Sequence, residues 1–180
     1  ASMILISTNE VFDGRKSYSY TEIDDPSPIN AYGKSKLAAE RHTMEILDNY
    51  FIVRTSWMYA MGGNNFVHAI LKLARLEQNI SVVTDELGSP TYANDLANAI
   101  LKLLDKAPYG IYHLVNSGHV SRYGFARRLL DLTGFSSVEI APILLNEYQR
   151  DSCPPRKGVL SNWSAFKYGI ALRPWQTALE

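Results

Sequence analysis

Short apolar runs of strand length alternate with helical patterns along most of this chain, and that alternation limits its fold more than any other feature. Met3 to Ile6, Tyr50 to Thr55, Ile80 to Val83 and Ile111 to Val115 read as strands. Ala31 to Asp48, Asn65 to Glu77, Asn94 to Leu104 and Tyr123 to Leu132 read as helices. Strands separated by helices stack into a parallel sheet with the helices on its faces, so the fold class is α/β. The helix opening at Ala31 has apolar positions at Tyr32, Leu37, Ala38, Met44 and Leu47, and Asn30 is placed to cap it. Asp13 to Asn30, with Asp24-Asp25-Pro26 and Pro28, reads as a surface loop. From Ser136 onward Pro142, Pro154, Pro155 and Pro174 break the alternation, which suggests a smaller appended region. Met3-Ile4-Leu5-Ile6 reads as a fully buried parallel strand with no earlier element to pair with, so an upstream segment is expected.

Composition narrows the function classes. Of 180 residues, 46% are hydrophobic and 20% charged, enough to bury a core in one or two compact units. Eighteen Lys and Arg balance eighteen Asp and Glu, which leaves no electrostatic footprint for nucleic acid or an anionic membrane surface. Cys153 is the single cysteine, so no internal disulfide is expected and a reducing cytoplasm fits best; it reads as an incidental thiol. The apolar stretches fall far short of the ~20 residues that span a bilayer, and the N-terminus lacks the pattern of a signal peptide. His42, His68 and His113 do not cluster at ligand spacing, so no metal is expected. Trp163 and Trp175 are expected to pack the C-terminal region.

Chemistry enters at Tyr32-Gly33-Lys34-Ser35-Lys36, which sets a phenol and an ammonium one turn apart on one helix face. A free phenol ionises near pH 10, and a cation within ~4–6 Å favours its phenolate, which suits such a pair to proton transfer. The spacing alone is common on helix surfaces. Thr8 lies just past the first strand, and open parallel sheets bind ligands outside the carboxyl ends of their strands.

Around these positions stand Val11-Phe12-Asp13-Gly14, Tyr20-Thr21-Glu22, Pro28, Asn30, Leu37 and Glu40. Further on come Arg54-Thr55-Ser56-Trp57-Met58-Tyr59, Asn65-Phe66, Gly88-Ser89-Pro90-Thr91-Tyr92, Asp95-Leu96-Ala97 and Gly110-Ile111-Tyr112-His113. Arg156, Leu160-Ser161 and Arg173-Pro174-Trp175 follow near the end. In this order the set resembles the extended short-chain dehydrogenase/reductases, and among them the dTDP-4-dehydrorhamnose reductase family, over nearly the whole chain.

The resemblance implies NADPH- or NADH-dependent reduction of the 4-keto group of a nucleotide-linked deoxysugar, dTDP-4-dehydrorhamnose to dTDP-rhamnose, in cell-surface polysaccharide biosynthesis. Tyr32 would deliver the proton, Lys36 would hold the nicotinamide ribose and favour the phenolate, and Thr8 would bind the carbonyl oxygen. Trp57 would pack on the sugar, Asn65, Gly88, Pro90 and Thr91 would surround the nucleotide-sugar, and Arg156 would hold the diphosphate. The implied architecture is a partial Rossmann-type parallel sheet with a smaller C-terminal substrate-binding region. Residues 1–60 and 92–117 would belong to the dinucleotide-binding unit, and 61–91 and 118–180 to the substrate-binding unit. A homodimer is compatible with it. A nucleotide-sugar epimerase or dehydratase, and a non-catalytic regulatory protein that binds nucleotide-sugar, stand as alternatives.

Two departures from the family pattern matter. Asn9 and Glu10 follow Thr8 where the family usually has an aspartate and a tyrosine, so an anion replaces an aromatic that lines the substrate site. The glycine-rich turn that seats a dinucleotide pyrophosphate is absent, so the chain resembles roughly the C-terminal three-fifths of such an enzyme. By itself it is expected to bind NAD(P)H poorly and to be inactive.

Overall fold

A computed structural model describes residues 2–180. In chain order it contains β1 (Met3–Thr8), α1 (Ala31–Ile46), β2 (Tyr50–Thr55), β3 (Met58–Tyr59), α2 (Phe66–Arg75), β4 (Ile80–Val83), β5 (Leu87–Gly88), β6 (Thr91–Tyr92) and α3 (Ala93–Lys106). β7 (Gly110–His113), β8 (Val120–Ser121), α4 (Arg122–Leu132), β9 (Ile140–Ile143), α5 (Trp163–Phe166) and α6 (Trp175–Leu179) follow. The α/β class and the parallel pairing anticipated from the alternation are both present.

The main sheet has three parallel strands in the order β1-β2-β7. β2 is central and buried along nearly its whole length, with Phe51, Ile52 and Val53 in the core. Among the described residues β1 pairs with β2, and only Ser7 and Thr8 at its carboxyl end are buried; Met3 and Ile4 are 42% and 36% exposed. Met3 to Ile6 is thus not fully buried among the described residues, where β2 is the one strand hydrogen-bonded to β1.

β4 does not join this sheet. It pairs in parallel with β9, a strand in the proline-broken region where no strand is expected from the sequence. Pro142 fits there because each strand of a two-stranded sheet is an edge and can leave one face of its backbone unpaired. Ile70, Ala74, Ile80, Val82, Phe125, Leu130, Ile140 and Trp175 form the core beneath it. A second core joins Phe51, Val53, Leu96, Leu103, Tyr112 and Leu114 to Ala165, Ile170 and Leu172. The tail after Ser136 thus contributes to both cores and is more interleaved than its irregular sequence suggests.

The stretch from Asp13 to Asn30 is not wholly a surface loop. Tyr20 is buried, stacks on Phe12 with ring centroids 4.2 Å apart, and bridges to Leu160. Its hydroxyl donates to Asp13 Oδ1 at 2.6 Å, so the phenol satisfies its polar end while its ring enters the core. Trp175 is buried as expected, but Trp163 is half-exposed, with Lys167 Nζ 3.3 Å from its ring centroid. Among the described residues no helix is long and apolar enough to cross a membrane.

Candidate active site

Thr8 and Thr55 are paired in register at the carboxyl ends of β1 and β2, and the chain leaves both strands there. After Thr8 it enters a single 3-10 turn, Asn9–Val11, and the Glu10 N–H donates to Thr8 Oγ1 at 3.2 Å. Thr8 Oγ1 donates in turn to Asn9 Oδ1 over a long 3.4 Å.

α1 docks on this turn. Asn30 caps the helix by accepting the Gly33 N–H at 2.7 Å, the role anticipated for it. Its amide nitrogen donates to Glu10 Oε2 at 2.7 Å and to the Cys153 carbonyl at 2.9 Å. A Cβ at position 33 would overlap the Glu10 carbonyl oxygen, so only glycine lets the first turn of α1 approach the backbone beside Thr8. Tyr32, on that turn, is 47% exposed. Lys36 Nζ donates to the Ile6 carbonyl at 3.0 Å, two residues before Thr8, and lies 6.0 Å from the Tyr32 ring centroid. Farther along α1, the buried Glu40 accepts from Ser7 Oγ and from Arg54, with Nε–Oε1 at 3.0 Å and Nη2–Oε2 at 2.6 Å. The helix is clamped to β1 and β2 on both sides of Lys36.

A second group forms beyond β2. Trp57 adopts φ 42°, a left-handed conformation that costs a non-glycine residue about 1–3 kcal/mol. Two contacts hold it: Gly88 lies so close under the indole that a Cβ there would overlap the ring, and Arg122 Cζ sits 3.7 Å from the ring centroid. Thr91 N–H donates to the Trp57 carbonyl at 3.3 Å, and the Thr91 hydroxyl donates to the Ser89 carbonyl at 3.2 Å. Pro90 and Thr91 are both buried, so this segment bears on the site as the support of Trp57.

Glu86, also buried, pairs with Arg122 Nε at 3.3 Å and with Arg150 Nη2 at 2.6 Å. Burial holds the Arg122 guanidinium below its ordinary pKa, and the Glu86 carboxylate opposes that shift. Trp57, Phe66, Glu86, Arg122, Tyr148 and Arg150 line a cavity of about 440 Å³. Its two guanidinium groups outnumber the single carboxylate, so it favours an anion beside an aromatic face.

The two groups are stitched together by the segment around Arg156. Asn9 Nδ2 donates to the Gly158 carbonyl at 3.1 Å, Gly158 N–H to the Leu87 carbonyl at 2.9 Å, and Leu87 N–H to the Arg156 carbonyl at 2.7 Å. Thr8, Tyr32 and Lys36 therefore gather on one side, and Trp57, Gly88, Pro90 and Thr91 on the other. The Arg156 side chain is exposed and paired with Asp85. Asn65 stands apart as the cap of α2: its oxygen accepts the His68 N–H at 3.2 Å, and its nitrogen donates to the Ala60 and Gly62 carbonyls at 3.1 and 3.2 Å. Glu86, Arg122 and Arg150 escaped sequence reasoning. They come from three distant segments, and the one available signal was a charged residue two positions before Gly88.

A parallel sheet with a hydroxyl, a phenol and an ammonium gathered at its carboxyl edge is the Rossmann-like fold of the short-chain dehydrogenase/reductases. The chain belongs to the RmlD substrate binding domain family, whose model matches residues 1–180. It is 41% identical over 180 residues to the spore coat polysaccharide biosynthesis protein SpsK of Bacillus subtilis, covering 100% of this chain and 63% of that protein. It superposes with a TM-score of 0.95 and 37% identity on a crystal structure of dTDP-4-dehydrorhamnose reductase from Bacillus anthracis in complex with NADP, covering 99% of this chain and 64% of that one. A dTDP-glucose 4,6-dehydratase from the same organism, in complex with NAD, shares the fold at TM-score 0.82 with 15% identity. The chain thus spans less than two-thirds of the length of the relatives it matches.

Proposed function

We propose that this chain forms the catalytic and substrate-binding part of an enzyme that reduces the 4-keto group of a dTDP-linked deoxysugar, dTDP-4-dehydrorhamnose to dTDP-rhamnose, for polysaccharide biosynthesis. The observation that carries the reading is the anchoring of Tyr32 and Lys36 beside Thr8 through the Gly33–Glu10 contact.

The donor set fits a nicotinamide dinucleotide. Tyr32 is open to solvent, and Lys36 spends one hydrogen bond on the Ile6 carbonyl, which leaves two ammonium protons for ribose hydroxyls. Bound NADPH or NADH supplies the hydride. The chain's own residues bind, orient and protonate. Thr8 Oγ1, with its weak bond to Asn9, turns its proton to the keto oxygen. Tyr32 Oη gives its proton to the alkoxide as that oxygen gains charge, and the Lys36 ammonium stands on the same helix face, 6.0 Å from the Tyr32 ring centroid. Acid catalysis of this kind contributes about 10²–10⁴-fold.

Trp57 offers its indole face to the sugar, and Arg122 and Arg150 offer charge-assisted hydrogen bonds to the diphosphate in the cavity beside it. Arg156 joins them once released from Asp85, and Asn65 acts by fixing the start of α2. In this reading 1–60 and 92–117 belong to the dinucleotide-binding unit and 61–91 and 118–180 to the substrate-binding unit, with Ala165, Ile170 and Leu172 reaching back into the core of the former. The workplace is the cytoplasm, and the partner is a nucleotide-sugar, in keeping with the balanced charge. Tyr32→Phe in the full-length protein is expected to abolish most oxidation of NADPH by dTDP-4-dehydrorhamnose while nucleotide-sugar binding persists. Undiminished turnover would sink the assignment.

A further inference from the structure

We infer that Glu10 is a specificity-determining residue whose carboxylate accepts a hydrogen bond from a sugar hydroxyl next to the keto carbon, so that the site selects 4-keto sugars with that hydroxyl free. The inference rests on the proposed reductase reading and deepens it.

The Glu10 N–H is bonded to Thr8 Oγ1, and its carbonyl lies under Gly33, so its backbone is wedged between Thr8 and the helical turn that bears Tyr32. A side chain leaving this point starts between the group proposed to hold the keto oxygen and the group proposed to protonate it.

The side chain is also preset. Asn30 Nδ2 binds Glu10 Oε2 at 2.7 Å, and Asn30 is itself held by the Gly33 N–H and the Cys153 carbonyl. Glu10 Oε1 has no hydrogen-bond partner among the described residues, and the residue is half-buried. An ionised carboxylate is acceptor-only, with about four lone-pair sites, so its unused oxygen calls for a donor. A hydroxyl meets that need; a hydrogen or a methyl ether at the same carbon does not. Because one anchor is already fixed, little side-chain freedom remains to be lost on binding.

The charge is tolerable beside an anionic substrate. Arg122, stacked on Trp57, is near enough to Glu10 for the carboxylate to favour its guanidinium, which offsets the Glu10 charge.

The test uses full-length protein and two substrates, the 4-keto-6-deoxy sugar nucleotide and its analogue deoxygenated at C3, beside the keto carbon. Wild type should prefer the parent by roughly 10- to 100-fold in kcat/KM, the range for a hydrogen bond to a charged group. Glu10→Ala should bring that ratio close to one by slowing the parent alone, and Glu10→Gln, which keeps an oxygen for Asn30, should lower it partway. Affinities read from Trp57 fluorescence quenching should follow the same order. Equal slowing of both substrates, or a ratio unchanged in both variants, overturns the inference. So does entry of solvent deuterium at C3 that is lost in Glu10→Gln, because Glu10 would then be a base. Should Glu10→Ala fail to fold, by melting and near-ultraviolet circular dichroism, Glu10→Gln decides alone. Tyr32→Phe that stays active would fail the reductase reading, whereas the binding preference would still judge Glu10.

Discussion

Arg54 Nη2 lies 2.6 Å from Glu40 Oε2 with both side chains buried, and this pair joins β2 to the helix that bears Tyr32 and Lys36. Glu40 is satisfied by Arg54 and Ser7, but Arg54 Nη1 is buried with no partner among the described residues. Removing one partner of a buried pair leaves an uncompensated charge, at a cost of about 3–5 kcal/mol. Arg54→Met should lower the unfolding free energy measured by urea titration by that amount. The double variant Arg54→Met, Glu40→Leu should recover much of it, since two apolar side chains replace the whole pair.

Gly33 is where the catalytic helix touches the turn after Thr8. Gly33→Ala drives a methyl group into the Glu10 carbonyl, which cannot yield without moving backbone. A loss of about 1–3 kcal/mol is expected, as for an overpacked core position. Turnover should fall more than nucleotide-sugar affinity, because the displacement falls on Tyr32. Equilibrium unfolding and a kcat-against-KM comparison check both parts.

Gly88 plays the matching role under Trp57. In Gly88→Ala the new methyl group overlaps the indole, which is already held in a left-handed conformation and capped by Arg122. The indole should shift and lose its contact with the guanidinium. Near-ultraviolet circular dichroism should change, and nucleotide-sugar affinity should drop by about tenfold, near the upper end of what a cation–π contact contributes.

His113 gives the fold a pH dependence. Its ring is buried against Phe12, its Nδ1 lies 3.2 Å from the Tyr20 carbonyl, and its Nε2 is unpartnered among the described residues. Burial, aided by the Arg54 charge, pushes its pKa down to about 3 from 6.5. Below pH 6.5 the unfolded chain takes up a proton that the folded one refuses until about pH 3. Stability from this group is therefore complete above pH 6.5 and declines as the pH falls, by about 1.4 kcal/mol per unit. Urea titrations at pH 7 and pH 5 should differ accordingly, and His113→Gln should flatten this part of the dependence.

Much of the fold is legible in the sequence, because period and punctuation are local. β2, α1 and α3 lie within a few residues of their expected spans, and Asn30 caps α1 as its chemistry requires. What was not legible depends on neighbours distant along the chain. Tyr20 sits among turn residues, and only its stacking on Phe12 and bridge to Leu160 bury it. β9 contains Pro142, so propensity argues against a strand until β4 is brought alongside.

At the site the division is equally physical. That Tyr32 and Lys36 share a helix face and that Thr8 ends a strand can be read from the amino-acid order, since spacing within one element sets both. Folding alone brings Gly33 and α1 onto the Glu10 carbonyl, encloses Trp57 between Gly88 and Arg122, and joins Glu86 to two arginines from separate segments. Those contacts arise from packing between elements, where a missing Cβ or a buried counter-charge has meaning only once the partner is in place.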